Sequence, residues 1–402
     1  MDEVIPSHSM LTHDAQRHDI LILGGGPAGL STALHLAQLA PELTSRILII
    51  EKAHYPRQKL CAGGLLDDAE VILERLGLDV REVPHADAAA AHMDFAGRGA
   101  KIQNRNRERR KQTHIIRVIR RDEFDAWLAG KAGERGIEIR EGVTVKRVQA
   151  QADCVIVETD AGAFRAQVVV GADGSNGVTR RCVLPDAPVH TARLLEVLTP
   201  AIAGNDGHQA TVAYFDFFCV PDGIAGYTWD FPTQINGLPM RCWGIYDTNL
   251  LADGARPALK EPLAAEMGRH GFDLQDAEIK GFPIRWFSPF SPLSAPRVLL
   301  AGDAAGVDPI FGEGISIALG YGLIAAHAIV EAFEKRDFSM RSYKRRLLRS
   351  ALGRALVLRW TITQIFYRLR WPWFQRGFWR RMGWMIRPGS ARVVINWAQR
   401  MR

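Results

Sequence analysis

Four short apolar runs punctuate the chain, Ile20–Leu23, Ile47–Ile50, Val168–Val170 and Val298–Ala301, and each stops at a glycine or an acid. Runs this short with no polar face predict strands buried on both sides, as in a parallel sheet. Pro27 to about Leu39 reads as a helix between the first two, and a further helix is predicted over 317–335. Between about 186 and 290 the pattern changes to alternating, aromatic-rich segments such as Thr211–Phe215 and Met240–Tyr246, which predict antiparallel strands. Residues 340–370 look helical and amphipathic until Pro372 and Gly377 break the pattern. The expected fold is α/β. A Rossmann-type domain takes 19–185 and 295–335, an antiparallel-sheet domain takes 186–294, a helical tail takes 336–402, and 1–18 is a polar leader. The basic run Lys101 to Lys111 reads as a loop or hairpin inserted in the first domain.

The turns after the apolar runs carry candidate chemistry. The first is Gly24-Gly25-Gly26-Pro27-Ala28-Gly29. In such a strand-turn-helix unit Gly24 permits the turn, Gly26 lets the backbone approach a pyrophosphate, and Gly29 lets the helix pack on the strand. The helix N-terminus offers unpaired N–H groups and partial positive charge to the phosphates. Glu51, 22 residues past Gly29, stands where a carboxylate accepts from adenosine ribose hydroxyls. The second motif is Gly171-Ala172-Asp173-Gly174 and the third is Gly302-Asp303-Ala304-Ala305-Gly306. Together the three indicate a wrapped flavin dinucleotide and hence a redox enzyme.

Composition sharpens the picture in one place. The net charge of +7 divides into +16 for residues 338–402, which hold no Asp or Glu, and −9 for the rest. The same segment holds six of the ten tryptophans, Trp360, Trp371, Trp373, Trp379, Trp384 and Trp397. A basic, Trp-rich tail suits an anionic membrane surface, and no apolar run in it is long enough to span. Nothing else resembles a nucleic-acid module, so no nucleic-acid partner is expected. The five cysteines are odd in number, form no Cys-x-x-Cys pair and follow no secretory signal, which points to a reducing cytoplasm without disulfides. No metal-ligand set is expected. The expected location is therefore cytoplasmic, peripheral to the inner face of the membrane.

Further motifs resemble those of the geranylgeranyl reductase family, within the flavoproteins related to para-hydroxybenzoate hydroxylase, over roughly residues 18–335. Tyr55-Pro56-Arg57-Gln58-Lys59-Leu60-Cys61-Ala62-Gly63-Gly64-Leu65 is similar to the family loop along the flavin. The resemblance implies that Cys61, Ala62 and Gly64 contact FAD, with Cys61 also a candidate catalytic thiol. Arg120, before the helix with Phe124-Asp125-Ala126-Trp127-Leu128, resembles the arginine that reaches the flavin's phosphate or ribityl side, and Arg121 competes for the role. By the same resemblance Asp173 binds FAD and Asp303 meets the ribityl hydroxyls. Pro309, Gly312, Gly314 and Ile315 then resemble the family's Pro-x-x-Gly-x-Gly-Ile turn, whose following helix points its N–H groups at the ring, with Glu313 read as a surface acid in preference to a proton donor. Tyr227, Trp229, Phe231 and Pro232 match a Tyr-x-Trp-x-Phe-Pro substrate motif.

The resemblance implies an FAD-dependent oxidoreductase that reduces C=C bonds of a geranylgeranyl-type isoprenoid, with NADPH or a ferredoxin as electron donor. A monooxygenase or halogenase of the same fold, a non-redox FAD-dependent cyclase, and a non-enzymatic flavin-binding membrane subunit are the alternatives. The halogenase Trp-x-Trp-x-Ile-Pro pattern is absent.

Overall fold

Five parallel strands form the backbone of the nucleotide-binding half, in the spatial order Val298–Leu300, Gly162–Gly171, Gln16–Leu23, Ile47–Ile50, Glu138–Arg140. The computed structural model describes residues 15–96, 98–103, 114–201, 211–251, 256–274, 277–385 and 396–401. Most of the leader 1–18 and of the basic run at 101–111 lies outside these. Ser294–Ala295 adds an antiparallel edge, and a hairpin of Val145–Ala150 and Val155–Thr159 pairs with the first half of Gly162–Gly171. The register aligns the strand ends: Leu300 faces Gly171, Gly171 faces Leu23, and Leu23 faces Ile50. All three glycine motifs and Glu51 therefore leave the sheet side by side at the carboxyl ends of its strands, where open α/β sheets bind ligands.

The helix Pro27–Leu39 covers this sheet and packs on Ile315–Lys335. Contact is close because Gly322 lies against Ser31, whose hydroxyl donates to the Leu319 carbonyl at 2.7 Å. Ile315–Lys335 is long and apolar enough to cross a membrane, yet most of it is buried in the fold, as in a core helix.

A second sheet has the order Lys280–Arg285, Thr191–Pro200, Leu238–Asp247, Gly226–Ile235, Val212–Asp216, Ala90–Phe95, Arg98–Gln103. Its last two strands come from the stretch expected to belong wholly to the first domain. They join through a parallel pairing of Ala90–Phe95 with Val212–Asp216. Between the sheets lies a small third one of Gly64–Leu65, Ile116–Ile119 and His85–Ala88.

The tail is helical as expected, with helices Arg341–Arg349, Ala351–Phe366 and Pro372–Met385, but it is no free appendage. Tyr343 donates to the Leu300 carbonyl at 2.8 Å, and Trp379 and Trp397 are buried. Residues 396–401 return to the nucleotide-binding half. Asp68 there accepts the N–H groups of Asn396 at 3.0 Å and Ala398 at 2.7 Å, while Arg75 donates to the Ala398 and Met401 carbonyls at 2.9 and 2.8 Å. Trp397 fills the space beside Gly320, where a Cβ would stand 2.6 Å from its ring. Trp371 and Trp373, by contrast, are exposed; the Trp384 side chain lies outside the described residues.

Two outcomes are expected. Trp397→Ala should cost about 3–5 kcal/mol, the range for a large buried aromatic, read by urea unfolding. Burial pushes the Asp68 carboxyl up to about 7, against the opposing pull of the Ala398 N–H. A raised carboxylate value penalises the ionised folded form, so this group's contribution is most favourable below the ordinary carboxylate range and weakens as pH climbs to about 7. Melting temperatures of wild type and Asp68→Asn, compared from pH 4 to 8, should converge on the acid side and separate through that window.

Candidate functional site

The three glycine turns open into one cavity of about 1140 Å³, lined from both large sheets and from the tail. Gly24 sits at φ +109°, and a Cβ there would lie 2.4 Å from the Ala172 carbonyl oxygen, so the turn requires glycine. Gly29 lies against the Gly24 carbonyl, where a Cβ would stand at 2.0 Å. Gly26 differs. Only the guanidinium tips of Arg57 and Arg121 approach its Cβ position, at 3.5 and 3.9 Å. Open space at a helix N-terminus, flanked by two cations, fits a pyrophosphate.

Those cations are fixed by two buried carboxylates, Asp125 and Glu51. Asp125 takes Arg121 in a bidentate pair, both contacts 2.8 Å, and Arg57 at 3.0 Å. Arg57 also pairs with Glu51 at 3.4 Å, so two cations and two carboxylates balance, and it is the guanidinium tips beside Gly26, rather than a net charge, that are offered to the cavity. The expected arginine, Arg120, does not take this place. It stands just before the helix Arg121–Glu134, pairs with Asp122 at 2.7 Å and does not line the cavity. The cause is helical phase: Arg121 and Asp125 are one turn apart on one face, and Arg120 is not.

Glu51 is buried and lines the cavity, accepting the Gly25 N–H at 2.8 Å and the Ala53 N–H at 3.0 Å. A carboxylate has lone pairs beyond these two for ligand hydroxyls. Asp173 also lines the cavity. One of its oxygens accepts from the Thr179 backbone and hydroxyl at 2.8 and 2.9 Å, and the other is buried without a hydrogen-bond partner among the described residues. Burial pushes its carboxyl upward. Such an orphaned acceptor fits a sugar or ribityl hydroxyl. Asp303 lines the cavity nearby, 3.4 Å from the Ser175 hydroxyl. The residues present thus fit FAD at its phosphates and its hydroxyls.

Along the next stretch of wall run Cys61, Ala62 and Gly64. The adjacent Gly63, at φ +76°, lies so close to the Ile119 carbonyl that a Cβ would stand 2.0 Å away, which fixes the loop to the small sheet. Burial pushes the Cys61 thiol up, with Arg121 opposing, so it holds its proton at neutral pH. Lys59 lines the cavity with its Nζ 3.3 Å from the centre of the Phe282 ring. Burial pulls its value down to about 8, against the pull of Asp303.

Facing them is the turn from Asp308 to Gly314, followed by Ile315; Gly312, Gly314 and Ile315 all line the cavity. Three tyrosine hydroxyls hold this turn by its carbonyls. Tyr246 donates to Pro309 at 3.2 Å, Tyr367 to Ile310 at 2.8 Å and Tyr227 to Phe311 at 2.5 Å. Arg359, from the tail, meets Asp308 at 3.0 Å and Glu313 at 2.7 Å. Glu313 is therefore no surface acid: its side chain is nearly buried in an ion pair. Burial raises Asp308 to about 6, with Arg359 holding it down.

Beyond the turn the lining is aromatic. Tyr227, Trp229 and Phe231 project from one face of their strand with Phe215, Phe217, Tyr246 and Phe311. Pro232, next to Phe231, falls on the opposite side of the strand and does not line the cavity. Phe366, Phe378 and Trp379 of the tail complete this wall. Sequence reasoning missed them, together with Arg57, Lys59 and Arg359. Arg57 and Lys59 stand within a recognised motif stretch, whereas no local pattern marks the tail residues.

Comparison with known proteins places the chain in a family and shows a shared fold. A family model described as FAD binding domain matches residues 17–337. Digeranylgeranylglycerophospholipid reductase 3 of Methanosphaera stadtmanae is 26% identical over 334 residues, covering 80% of this chain and 79% of that protein. The crystal structure of a geranylgeranyl bacteriochlorophyll reductase-like protein from Thermoplasma acidophilum matches with TM-score 0.76 at 21% identity, over 95% of this chain and 96% of that one. Halogenase PltM in complex with phloroglucinol and FAD matches with TM-score 0.65 at 14% identity, over 92% of this chain and 80% of that one. These two structures share the fold.

Arg121→Ala should weaken FAD binding by about tenfold or more, the loss of one charge-assisted contact, whereas Arg120→Ala should stay within about twofold. Flavin-fluorescence titration of the deflavinated protein reads both; equal losses would remove the distinction drawn between the two arginines.

Proposed function

We propose that this chain, which belongs to the FAD binding domain family, is an FAD-dependent oxidoreductase that reduces carbon–carbon double bonds of an isoprenoid lipid. The observation that carries this reading is the aromatic wall. Its tyrosine hydroxyls donate to backbone carbonyls of the Asp308–Gly314 turn. The wall therefore turns hydrocarbon, rather than hydroxyl donors, toward the cavity, which suits an alkene chain better than a phenol. Similarity to a digeranylgeranylglycerophospholipid reductase supports the same substrate class.

When bound and reduced, by NADPH or a ferredoxin, FAD supplies the hydride. The protein's residues do the rest. Arg57, Arg121 and the N-terminus of Pro27–Leu39 hold the phosphates, and Glu51, Asp173 and Asp303 take hydroxyls. The Cys61–Gly64 stretch lines the cavity with two glycines and two small side chains, which leaves room for the ring. The aromatic wall excludes water and orients the alkene, which is where a poor hydride acceptor gains most. Hydride to one alkene carbon requires a proton at the other. Cys61, a thiol kept protonated by burial at the junction of polar and apolar lining, is the residue we assign to hold it.

Under anaerobic conditions the reduced holoenzyme given a geranylgeranyl lipid should reoxidise and yield product with two hydrogens gained per bond. Reoxidation that requires oxygen, with oxygen or halogen in the product, would replace this reading with a monooxygenase or halogenase. Cys61→Ala should lower turnover by about 10²-fold or more with flavin content unchanged, the usual scale for losing a general acid. Lys59→Met should lower it less; the reverse order would move the proton to Lys59. Because the thiol value is raised, wild-type turnover should hold across neutral pH and fall only above the ordinary thiol range.

A further inference from the structure

An unbroken series of ring contacts runs from the turn beside the flavin site to the protein surface. Phe311 meets Phe217 at 6.5 Å, and Phe217 stacks on Trp379 at 4.1 Å. Trp379 meets Phe378 at 5.2 Å, Phe378 meets Phe374 at 6.1 Å, Phe374 meets Trp373 at 6.1 Å, and Trp373 stacks on Trp371 at 6.1 Å. The inner members line the cavity, while Trp371 and Trp373 are 55% and 68% exposed. From Phe374 to Trp379 the series follows one helix, Pro372–Met385, which packs on the hairpin of Ala90–Phe95 and Arg98–Gln103.

Polar groups along this path are satisfied sideways. The Trp379 indole N–H donates to the Gln375 side chain at 3.1 Å, and Gln375 donates to the Leu369 carbonyl at 2.8 Å. The exposed end carries the opposite character on its flanks. Arg368, Arg370, Arg376, Arg380 and Arg381 are exposed, and none makes an ion pair among the described residues. No acid occurs anywhere in 338–402 to neutralise them. Stacked, exposed tryptophans with exposed arginines outside ion pairs on either side of them in the chain match the two layers of an anionic leaflet, with indoles at the acyl boundary and guanidinium groups at the phosphates. An acidic protein would satisfy the arginines but would give no reason for the aromatic path to continue inward.

We infer that the Trp371–Trp373 end of this helix docks on an anionic membrane surface and that the aromatic series behind it is the access lane by which a lipid chain enters the cavity. The contact is with one end of one helix and not with the tail at large, since Trp379 and Trp397 belong to the interior. Only the nature of the lipid that travels the lane rests on the reductase reading.

Co-sedimentation of the full-length holoprotein with vesicles tests the docking without any turnover. Wild type should bind phosphatidylglycerol-containing vesicles and not pure phosphatidylcholine, and brominated acyl chains should quench its tryptophan fluorescence. Trp371→Ser/Trp373→Ser should weaken binding by about tenfold or more and lose most of the quenching, with flavin absorbance and melting temperature unchanged. Arg368→Gln/Arg370→Gln should weaken binding and flatten its salt dependence. Vesicle binding by the double Trp variant equal to wild type overturns the docking surface, as does failure of wild type to bind. Photolabelling with a diazirine-bearing isoprenyl lipid should mark peptides within 372–385; labelling confined elsewhere overturns the lane. A protein that binds vesicles and is labelled there, yet reduces no alkene, would refute the reductase reading and leave this one standing.

Discussion

Everything at the site depends on the register of four neighbouring parallel strands. Leu300, Gly171, Leu23 and Ile50 stand in one row, and the chain leaves each of them in the same direction. Adjacent strands lie about 4.8 Å apart, so four strand ends span only about 15 Å. Residues more than 270 positions apart, such as Gly24 and Asp303, are thereby brought to one edge. A slip of one residue in any pairing would turn that strand's buried side chains to its other face. The runs Ile20–Leu23 and Val168–Val170 are completely buried, so their position along the sheet is fixed by packing on both faces and not by the ligand.

A second dependence runs the opposite way, from the end of the chain back to the site. The Asp308–Gly314 turn carries two buried carboxylates, and burying a charge without a partner is costly. Asp308 and Glu313 share Arg359, which stands on Ala351–Phe366, beyond the 17–337 span matched by the family model. Tyr367, just after that helix, holds the same turn. The tail is therefore part of the site's framework. It supplies the cation and one hydroxyl that fix the turn, and the apolar rings that close the cavity.

This division explains what could be read in the sequence. The glycine turns were legible because their demands are local: a positive φ at Gly24 and close packing at Gly29 follow from neighbours in a strand-turn-helix unit. The alternation that put Tyr227, Trp229 and Phe231 on one face was equally local, and the same alternation excludes Pro232. Arg120 and Arg121 were not separable, since the choice turns on a pair with Asp125 that only the helix phase establishes. The strands Ala90–Phe95 and Arg98–Gln103 were not read from the sequence as part of the antiparallel sheet, because strand pairing is a long-range property. The tail misled for a related reason. Composition counts tryptophans without saying which way they face; Trp371 and Trp373 meet solvent while Trp379 and Trp397 fill the interior.

The cavity's two halves make opposite demands, and Cys61 sits where they meet. The half with Glu51, Arg57, Arg121, Asp173 and Asp303 must stay polar to hold phosphates and hydroxyls. The half with Phe215, Phe217, Phe231 and Phe311 must stay dry to hold hydrocarbon. An ionised acid at the seam would pull water inward, and an aliphatic residue there could offer no proton. A partly buried thiol avoids both costs: its size is small, its neutral form is favoured by the same desolvation that excludes water, and it still carries a transferable hydrogen. Lys59 satisfies the second demand but not the first, because its ammonium keeps company with Asp303 and the Phe282 ring on the polar side. The environment that raises the Cys61 value is thus the one that lets a proton donor exist beside an alkene.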